Sequence, residues 1–468
     1  MEGARLERFR VYTTSVRIAI AGAGGFVGFP LARRLAARSV DVVALGRTRE
    51  ALPSGPHIDK AVVDAADGDA LQKALTGCDV AYYLIHSMTG EDFAARDRAL
   101  ASTFAQAAGA AGVPRIVYLG ALGRGELSEH LASRQETGRA LGSTGIDVVE
   151  LRAAVIIGAG SISFELMRYL VERLPAMVCP RWVRTRIEPV SFDDVLAHLE
   201  RAVSVPPGIY ELGAGEVLTY QDLMQRYARI RGLKPRAIIH VPLLSLNLSS
   251  YWVDVVTPVD KAVSHSLIAS LAHEVVAHDR ARTRETFGID PVPLDDAIIA
   301  ALDEQRRRVA ATLLDRPDGL ADGVHTLSRR ATIPPETTAA VRKDLTTIGG
   351  SLRWYGIAAA WQARIWFGST FGERLTLHKP ARVERGADVD WWTIEVVSDD
   401  ELVLRSREWA FGEAWLGWRV EDGTIRQTAA FRPRGVPGFV YWQVLRAIHH
   451  AAFDAMLRTR IRRARAQA

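Results

Sequence analysis

At 468 residues the chain is too long for one ordinary domain, and two or three is the expectation. Its 48% apolar and 24% charged residues are those of a globular protein and exclude a disordered or fibrous one. The balance of 59 basic against 54 acidic residues is too even to argue for nucleic acid, and two cysteines, Cys78 and Cys179, exclude a disulfide framework or a zinc cluster.

Arg5, Arg8 and Arg10 precede an apolar stretch from Ile18 to Ala32 that four glycines interrupt, so it reads as a folded pattern and not as a signal peptide. No apolar run is long enough for a membrane-spanning helix, and a cytoplasmic protein is expected. Within the stretch, the β-branched residues Ile18 and Ile20 lead into a glycine cluster. A helical apolar pattern then begins at once with Phe26, Val27, Leu31 and Leu35. That order of strand, glycine turn and helix is the layout of a dinucleotide-binding βαβ unit; a plain structural turn is the competing reading. Gly22 permits the tight turn, Gly24 and Gly25 let backbone approach a pyrophosphate, and Gly28 lets helix and strand pack closely. Val27 stands where the third glycine of G-x-G-x-x-G belongs, so the spacing that fits is G-x-x-G-x-x-G through Gly22, Gly25 and Gly28. The expected cofactor contacts here are Gly22, Gly24, Gly25, Phe26, Val27 and Gly28.

Further strands are predicted at Val40–Leu45, Ala61–Val63, Val80–Ile85, Ile116–Leu119 and Ile146–Leu151, with helical patterns such as Phe93–Ala111 between them. This alternation predicts an α/β fold with a doubly wound parallel sheet. An NAD-selective site carries an acidic residue at the end of the second strand. Here the chain reads Gly46-Arg47-Thr48-Arg49, in which two guanidinium groups and a hydroxyl suit the 2′-phosphate of NADP; a solvated basic loop is the alternative. Arg47 lies 19 residues beyond Gly28, near the spacing that the fold requires. Asp64 closes the third strand within reach of an adenine amino group, and His86 and Ser87 end the fourth, where ligands of open α/β sheets bind. Capping of the following loop competes as the role of these last two residues.

The glycine turn, the Gly-Arg ending, Asp64 and the segment Tyr83-Leu-Ile-His-Ser87 resemble the short-chain dehydrogenase/reductase superfamily, and most closely its atypical, NmrA-like branch. The likeness runs from Val16 to Asp303, with extended-type additions after Gly158. It implies an NADP(H)-binding oxidoreductase. Two segments in the additions, Ser191-Phe-Asp-Asp194 and Thr219-Tyr-Gln-Asp222, read as helix-starting capping boxes and carry no chemistry.

The reductases of that superfamily use a tyrosine and a lysine four residues later, with a hydroxyl after the fifth strand. This chain departs from the pattern. It has no tyrosine between Tyr118 and Tyr169, no lysine between Lys73 and Lys234, and a fifth strand ending Leu119-Gly120-Ala121. The corresponding helix instead carries His130 and Arg134, spaced i, i+4 on one face. Two readings stand: His130 delivers a proton and Arg134 holds a ribose or phosphate, or the site is inactive and the helix only covers the nicotinamide.

Between Pro242 and Asp279 lie Leu248–Trp252, Val256–Val259 and His273-Glu-Val-Val-Ala-His278. The last resembles a zinc-protease motif, but its second histidine is one residue late. On a helix that rotates it about 140° from the first, so no metal is expected. The remainder reads as core or as the lining of a substrate cleft.

Arg316-Pro-Asp-Gly-Leu-Ala-Asp-Gly323 is a turn-rich break. Nine of the eleven tryptophans follow residue 350, which marks a second domain. Strands are predicted at Trp391–Val397, Glu401–Phe411, Ala414–Val420 and Thr424–Phe431, followed by a long helix from near Gly438. This arrangement resembles a helix-grip, START-like domain, and Phe431–Trp442 resembles an uncharacterised domain fused to such reductases in bacteria. Trp391, Trp409, Trp415 and Trp418 line a ligand cavity or fill a core; adjacent His449 and His450 diverge and make no metal pair. The terminal Arg458, Arg460, Arg462, Arg463 and Arg465 read as a solvated helix end, with weak attraction to an anionic membrane surface as the alternative.

The expected organisation is a dinucleotide-binding domain with an extended-type substrate region over 14–310, a linker over 311–324 and an α+β, helix-grip-like domain over 325–468. The expected function is NADP(H)-dependent oxidation or reduction, by fold analogy on a lipophilic carbonyl compound. A non-catalytic NADP(H) sensor and a ligand-carrying START-like protein are the other readings.

Overall fold

The computed structural model describes residues 16–86, 92–241, 261–315, 323–370, 375–406, 411–421 and 423–466. Ser87, Leu248–Trp252, Val256–Val259 and Trp409 lie outside them, as does most of the break at 316–323. Two compact units are present: residues up to Val171 with Ala176–Ala301, and Glu172–Pro175 with Leu302 onward.

The first unit is built on seven parallel strands. In chain order these are β1 (Arg17–Ala21), β2 (Asp41–Gly46), β3 (Ile58–Val62), β4 (Val80–Tyr83), β5 (Arg115–Ala121), β6 (Asp147–Ala153) and β7 (Gly208–Glu211). Across the sheet they run β7-β6-β5-β4-β1-β2-β3. Alternate side chains sort to opposite faces, as the pleat requires. Ile18, Ile20, Val42, Ala44, Val80 and Tyr82 enter one core with Leu31 and Leu35 of α1 (Gly28–Ala36). Ala19, Ala21, Val43, Leu45, Ala81 and Tyr83 enter the other with Leu71 of α2 (Gly68–Leu75) and Phe104 of α3 (Phe93–Ala110). Both faces are thus covered, which is why these strands read as nearly continuous apolar runs. The chain reverses its direction of travel across the sheet between β1 and β4, and a crevice opens at the carboxyl ends of strands at such a switch point.

Helix α4 (Glu129–Leu141) follows β5, and α5 (Ile162–Arg173) follows β6. The two expected caps are in place. Ser191 Oγ accepts from the Asp194 N–H to start α6 (Phe192–Arg201). Thr219 and Asp222 form the full reciprocal box that starts α7 (Tyr220–Ile230). Among the described residues three more helices follow: α8 (Lys261–Leu271), α9 (Arg280–Phe287) and α10 (Leu294–Thr312). His273–His278 is not helical. Glu188 N–H donates to the Val275 carbonyl, and the His278 and Asp279 amides donate to the Glu211 carboxylate at 2.6 and 3.2 Å. The segment is therefore a clamped loop, so the helical rotation used to separate the two histidines does not apply to it.

The second unit carries six antiparallel strands: β8 (His325–Thr332), β9 (Asp388–Val389), β10 (Trp392–Val397), β11 (Glu401–Ser406), β12 (Gly412–Glu421) and β13 (Thr424–Pro433), in the order β8-β13-β12-β11-β10-β9. Helices α11 (Pro335–Leu345), α12 (Ala358–Thr370) and α13 (Gly435–Arg465) complete an α+β unit. Trp391, Trp415 and Trp418 are buried in packing. Trp391 stacks on Tyr355 with centroids 4.8 Å apart, Trp415 lies against Leu313 and Leu314, and Trp418 Nε1 donates to Gln427 at 2.7 Å. Of the two roles read for these three indoles, they fill the core.

Candidate functional site

The turn after β1 is set by backbone sterics. Gly22 has φ +86°, and a Cβ there would stand 2.9 Å from the Leu84 carbonyl oxygen beyond β4. A Cβ on Gly28 would run into the Gly22 carbonyl, so only glycine lets α1 begin this close to the strand. The Gly22 and Ala23 amides donate to Leu45 at the end of β2, and Gly25 closes back on Gly22 at 3.0 Å. Helix α1 starts at Val27 with no side-chain cap and no acidic residue in its first turn. Its first turn thus brings no carboxylate of its own to the positive end of the helix, which suits an anion there.

A cleft of about 1040 Å³ opens over this turn at the carboxyl ends of the strands. It brings together Gly22, Gly24, Gly25, Phe26, Val27, Gly28, Arg47, Thr48, Asp64, His86, His130 and Arg134. These residues come from five separate strand or helix ends. Arg49 does not line it; it begins a short 3₁₀ turn, and its carbonyl accepts from Lys60 Nζ at 3.2 Å. Arg47 and Thr48 are exposed at the end of β2, and no ion pair holds Arg47 among the described residues. Asp64 takes an Asx turn, its Oδ1 accepting from the Ala66 N–H at 3.0 Å, and presents its carboxylate at the cleft edge.

The far end of the cleft is lined by His86, His130, Arg134 and the strand end Leu119-Gly120-Ala121. Arg134 is engaged with the protein. One Nη donates to the Leu119 carbonyl, the guanidinium lies 5.2 Å from the Tyr118 ring centre, and Tyr118 OH donates to the Arg134 carbonyl at 2.8 Å. His130 is half-buried, with Nδ1 3.2 Å from Ser270 Oγ. Desolvation and the Arg134 charge bring its pKa down to about 4. His86 lines the cleft with its side chain exposed, and desolvation by the surrounding atoms, then the nearby Arg134 and His130, lowers its pKa. Both shifts favour the neutral imidazole.

Several lining residues carry no sequence signal: Arg96 and Leu100 on α3, Ser161 and Ser163 at the start of α5, and Leu267 on α8. Among the described residues, those lining the cleft include no tyrosine and no lysine. Among the described residues no group of three or more His, Cys, Asp and Glu is gathered as a metal would need, and no helix is long and apolar enough to cross a membrane.

Residues 22–151 match the family model described as NAD(P)H-binding, and residues 321–456 match one described as a protein of unknown function, DUF2867. Comparison with curated proteins returned no match. Among solved structures, the chain is similar to WbmG of Bordetella bronchiseptica in complex with NAD and UDP, at 18% identity over 63% of this chain and 96% of that one, with a TM-score of 0.50. It is also similar to a nucleoside-diphosphate-sugar epimerase of Staphylococcus aureus, at 17% identity over 60% and 99%, TM-score 0.50. MoeE5 in complex with UDP-glucose and NAD stands at 16% over 63% and 99%, TM-score 0.50. Residues 22–151 of the first unit thus match an NAD(P)-binding domain, and the unit shares the Rossmann fold of these NAD-bound and epimerase structures.

Proposed function

We propose that the chain is an NADP(H)-dependent oxidoreductase of the atypical short-chain type. The observation that carries this reading is the single cleft in which the glycine turn, Arg47, Thr48 and Asp64 meet His130 and Arg134. In this reading Gly22–Gly28 and the start of α1 hold the pyrophosphate, and Arg47 and Thr48, with Arg49 beside them, take the 2′-phosphate. Asp64 meets the adenine, while His86 borders the nicotinamide ribose. When bound, the cofactor supplies or accepts a hydride. Arg134 orients α4 against β5 through the Leu119 carbonyl, and desolvation together with its charge favours the uncharged forms of His86 and His130. Ile156, Ile162 and Leu267 give the remaining wall an apolar character, with Ser161 and Ser163 as its polar points, which supports a lipophilic carbonyl or alcohol as substrate.

The replacement of the tyrosine–lysine pair by His130 and Arg134 on α4 favours a second reading, a sensor that binds NADP(H) without turnover. Stopped-spectrum assays of NADPH oxidation with a carbonyl panel, and of NADP⁺ reduction with the matching alcohols, separate the two. Turnover lost in His130→Phe supports the enzyme. Binding without turnover across the panel supports the sensor.

A further inference from the structure

We infer that Ser270 locks His130 in the Nδ1–H tautomer, so that its bare Nε2 serves as the proton acceptor for a hydroxyl substrate in the cleft. The assignment follows from counting protons. Ser270 Oγ has three neighbours: the Ser266 carbonyl at 2.9 Å, Ser128 Oγ at 3.0 Å and His130 Nδ1 at 3.2 Å. A hydroxyl has one proton to give, and a carbonyl can only accept. The Ser270 proton therefore goes to Ser266, and both other partners must donate. Ser128 is free to do so, because its own oxygen already accepts from the Leu131 N–H at 3.2 Å as the cap of α4. His130 is left to donate through Nδ1–H, and the nitrogen without a proton is Nε2.

Burial and Arg134 keep the ring neutral, so Nε2 holds a lone pair at neutral pH. The inference rests on the oxidoreductase reading for its chemistry. As a secondary alcohol is oxidised, its O–H bond breaks and the proton passes to Nε2. The carbinol C–H leaves with its electron pair to NADP⁺, a C=O forms, and the imidazolium returns its proton to water. Ser270 is a positioning residue in this scheme. It reaches His130 from α8 across 140 positions of sequence.

The test is the nitrogen-15 NMR signature of histidine side chains in the full chain without cofactor at about pH 7.5, with His130→Gln identifying the signal. A protonated Nδ1 and a bare Nε2 in the wild type are expected. Ser270→Ala should shift the ring towards the Nε2–H form, and Ser270→Thr should restore the original signature. In alcohol oxidation, Ser270→Ala should lower kcat about tenfold or more while leaving the KM for NADP⁺ unchanged. An Nε2–H ring in the wild type overturns the inference whether or not Ser270→Ala folds, as does a signature that Ser270→Ala leaves in place. NADP⁺ titration of the same samples is read separately: loss of binding with the Nδ1–H signature intact counts against the cofactor reading, not the tautomer.

Discussion

The two units spend their side chains in opposite ways. At the carboxyl ends of β1, β2 and β4, the first unit removes bulk: Gly22, Gly24, Gly25 and Gly28 leave backbone exposed to a cleft, and Arg47 stands there with no ion pair among the described residues. The second unit fills its interior with the largest side chains available and pairs the charges it buries. Arg460 lies over Trp418 at 4.3 Å and binds Asp344 at 2.6 Å, both side chains 1% exposed. Asp390, fully buried at φ +53°, accepts from the Gly350 and His378 amides on one oxygen and from Trp354 Nε1 and Tyr355 OH on the other. The lesson is that the same residue type is read by its surroundings. A guanidinium with an acidic partner and an aromatic lid is structure, and one left at the mouth of a glycine-lined cleft is open to a ligand, the role proposed for Arg47.

The largest effect expected from this contrast is in the second unit. Asp390→Ala strands two buried donors, Trp354 Nε1 and Tyr355 OH, and two part-buried amides, and should cost about 3–5 kcal/mol, the range for breaking a buried charged network. Nine of the eleven tryptophans follow residue 350, so urea unfolding followed by tryptophan fluorescence reads this unit. A midpoint that does not move would mean that Asp390 is not the organising acceptor.

A smaller effect compares one histidine from each unit. Burial is the main cause that takes both His130 and His449 from the usual 6.5 to about 4. Between those values the unfolded chain binds protons that the folded chain does not, so stability present above about pH 7 is lost progressively as pH falls towards 4. His130→Phe and His449→Phe should each shallow the fall in urea midpoint between about pH 7 and pH 5. A fall as steep as that of the wild type would show that the ring is protonated in the folded protein.

What the sequence revealed was local. The glycine turn, Arg47, Asp64 and His86 are legible because each sits directly after an apolar strand, and strand ends are where an α/β sheet places its ligands. His130 and Arg134 are legible as an i, i+4 pair on one helix. Ser270 was not, because nothing near it marks a serine on α8 as the partner of a histidine on α4; only the tertiary fold joins them. β8 escaped notice for a different reason. As an edge strand carrying Arg329 and Arg330 it lacks an apolar alternation, and its assignment comes from pairing with β13. His273–His278 shows the converse, a motif whose helical geometry does not exist in the fold because two glutamates, Glu188 and Glu211, tie that segment down as a loop.

The most direct measurement is calorimetric titration of the full chain with NADP⁺ and with NAD⁺, repeated on Arg47→Asp. The account predicts that NADP⁺ binds the wild type about tenfold or more tightly than NAD⁺, and that Arg47→Asp removes or reverses that preference. Binding of neither dinucleotide, or an NADP⁺ preference that survives the loss of Arg47, would contradict it.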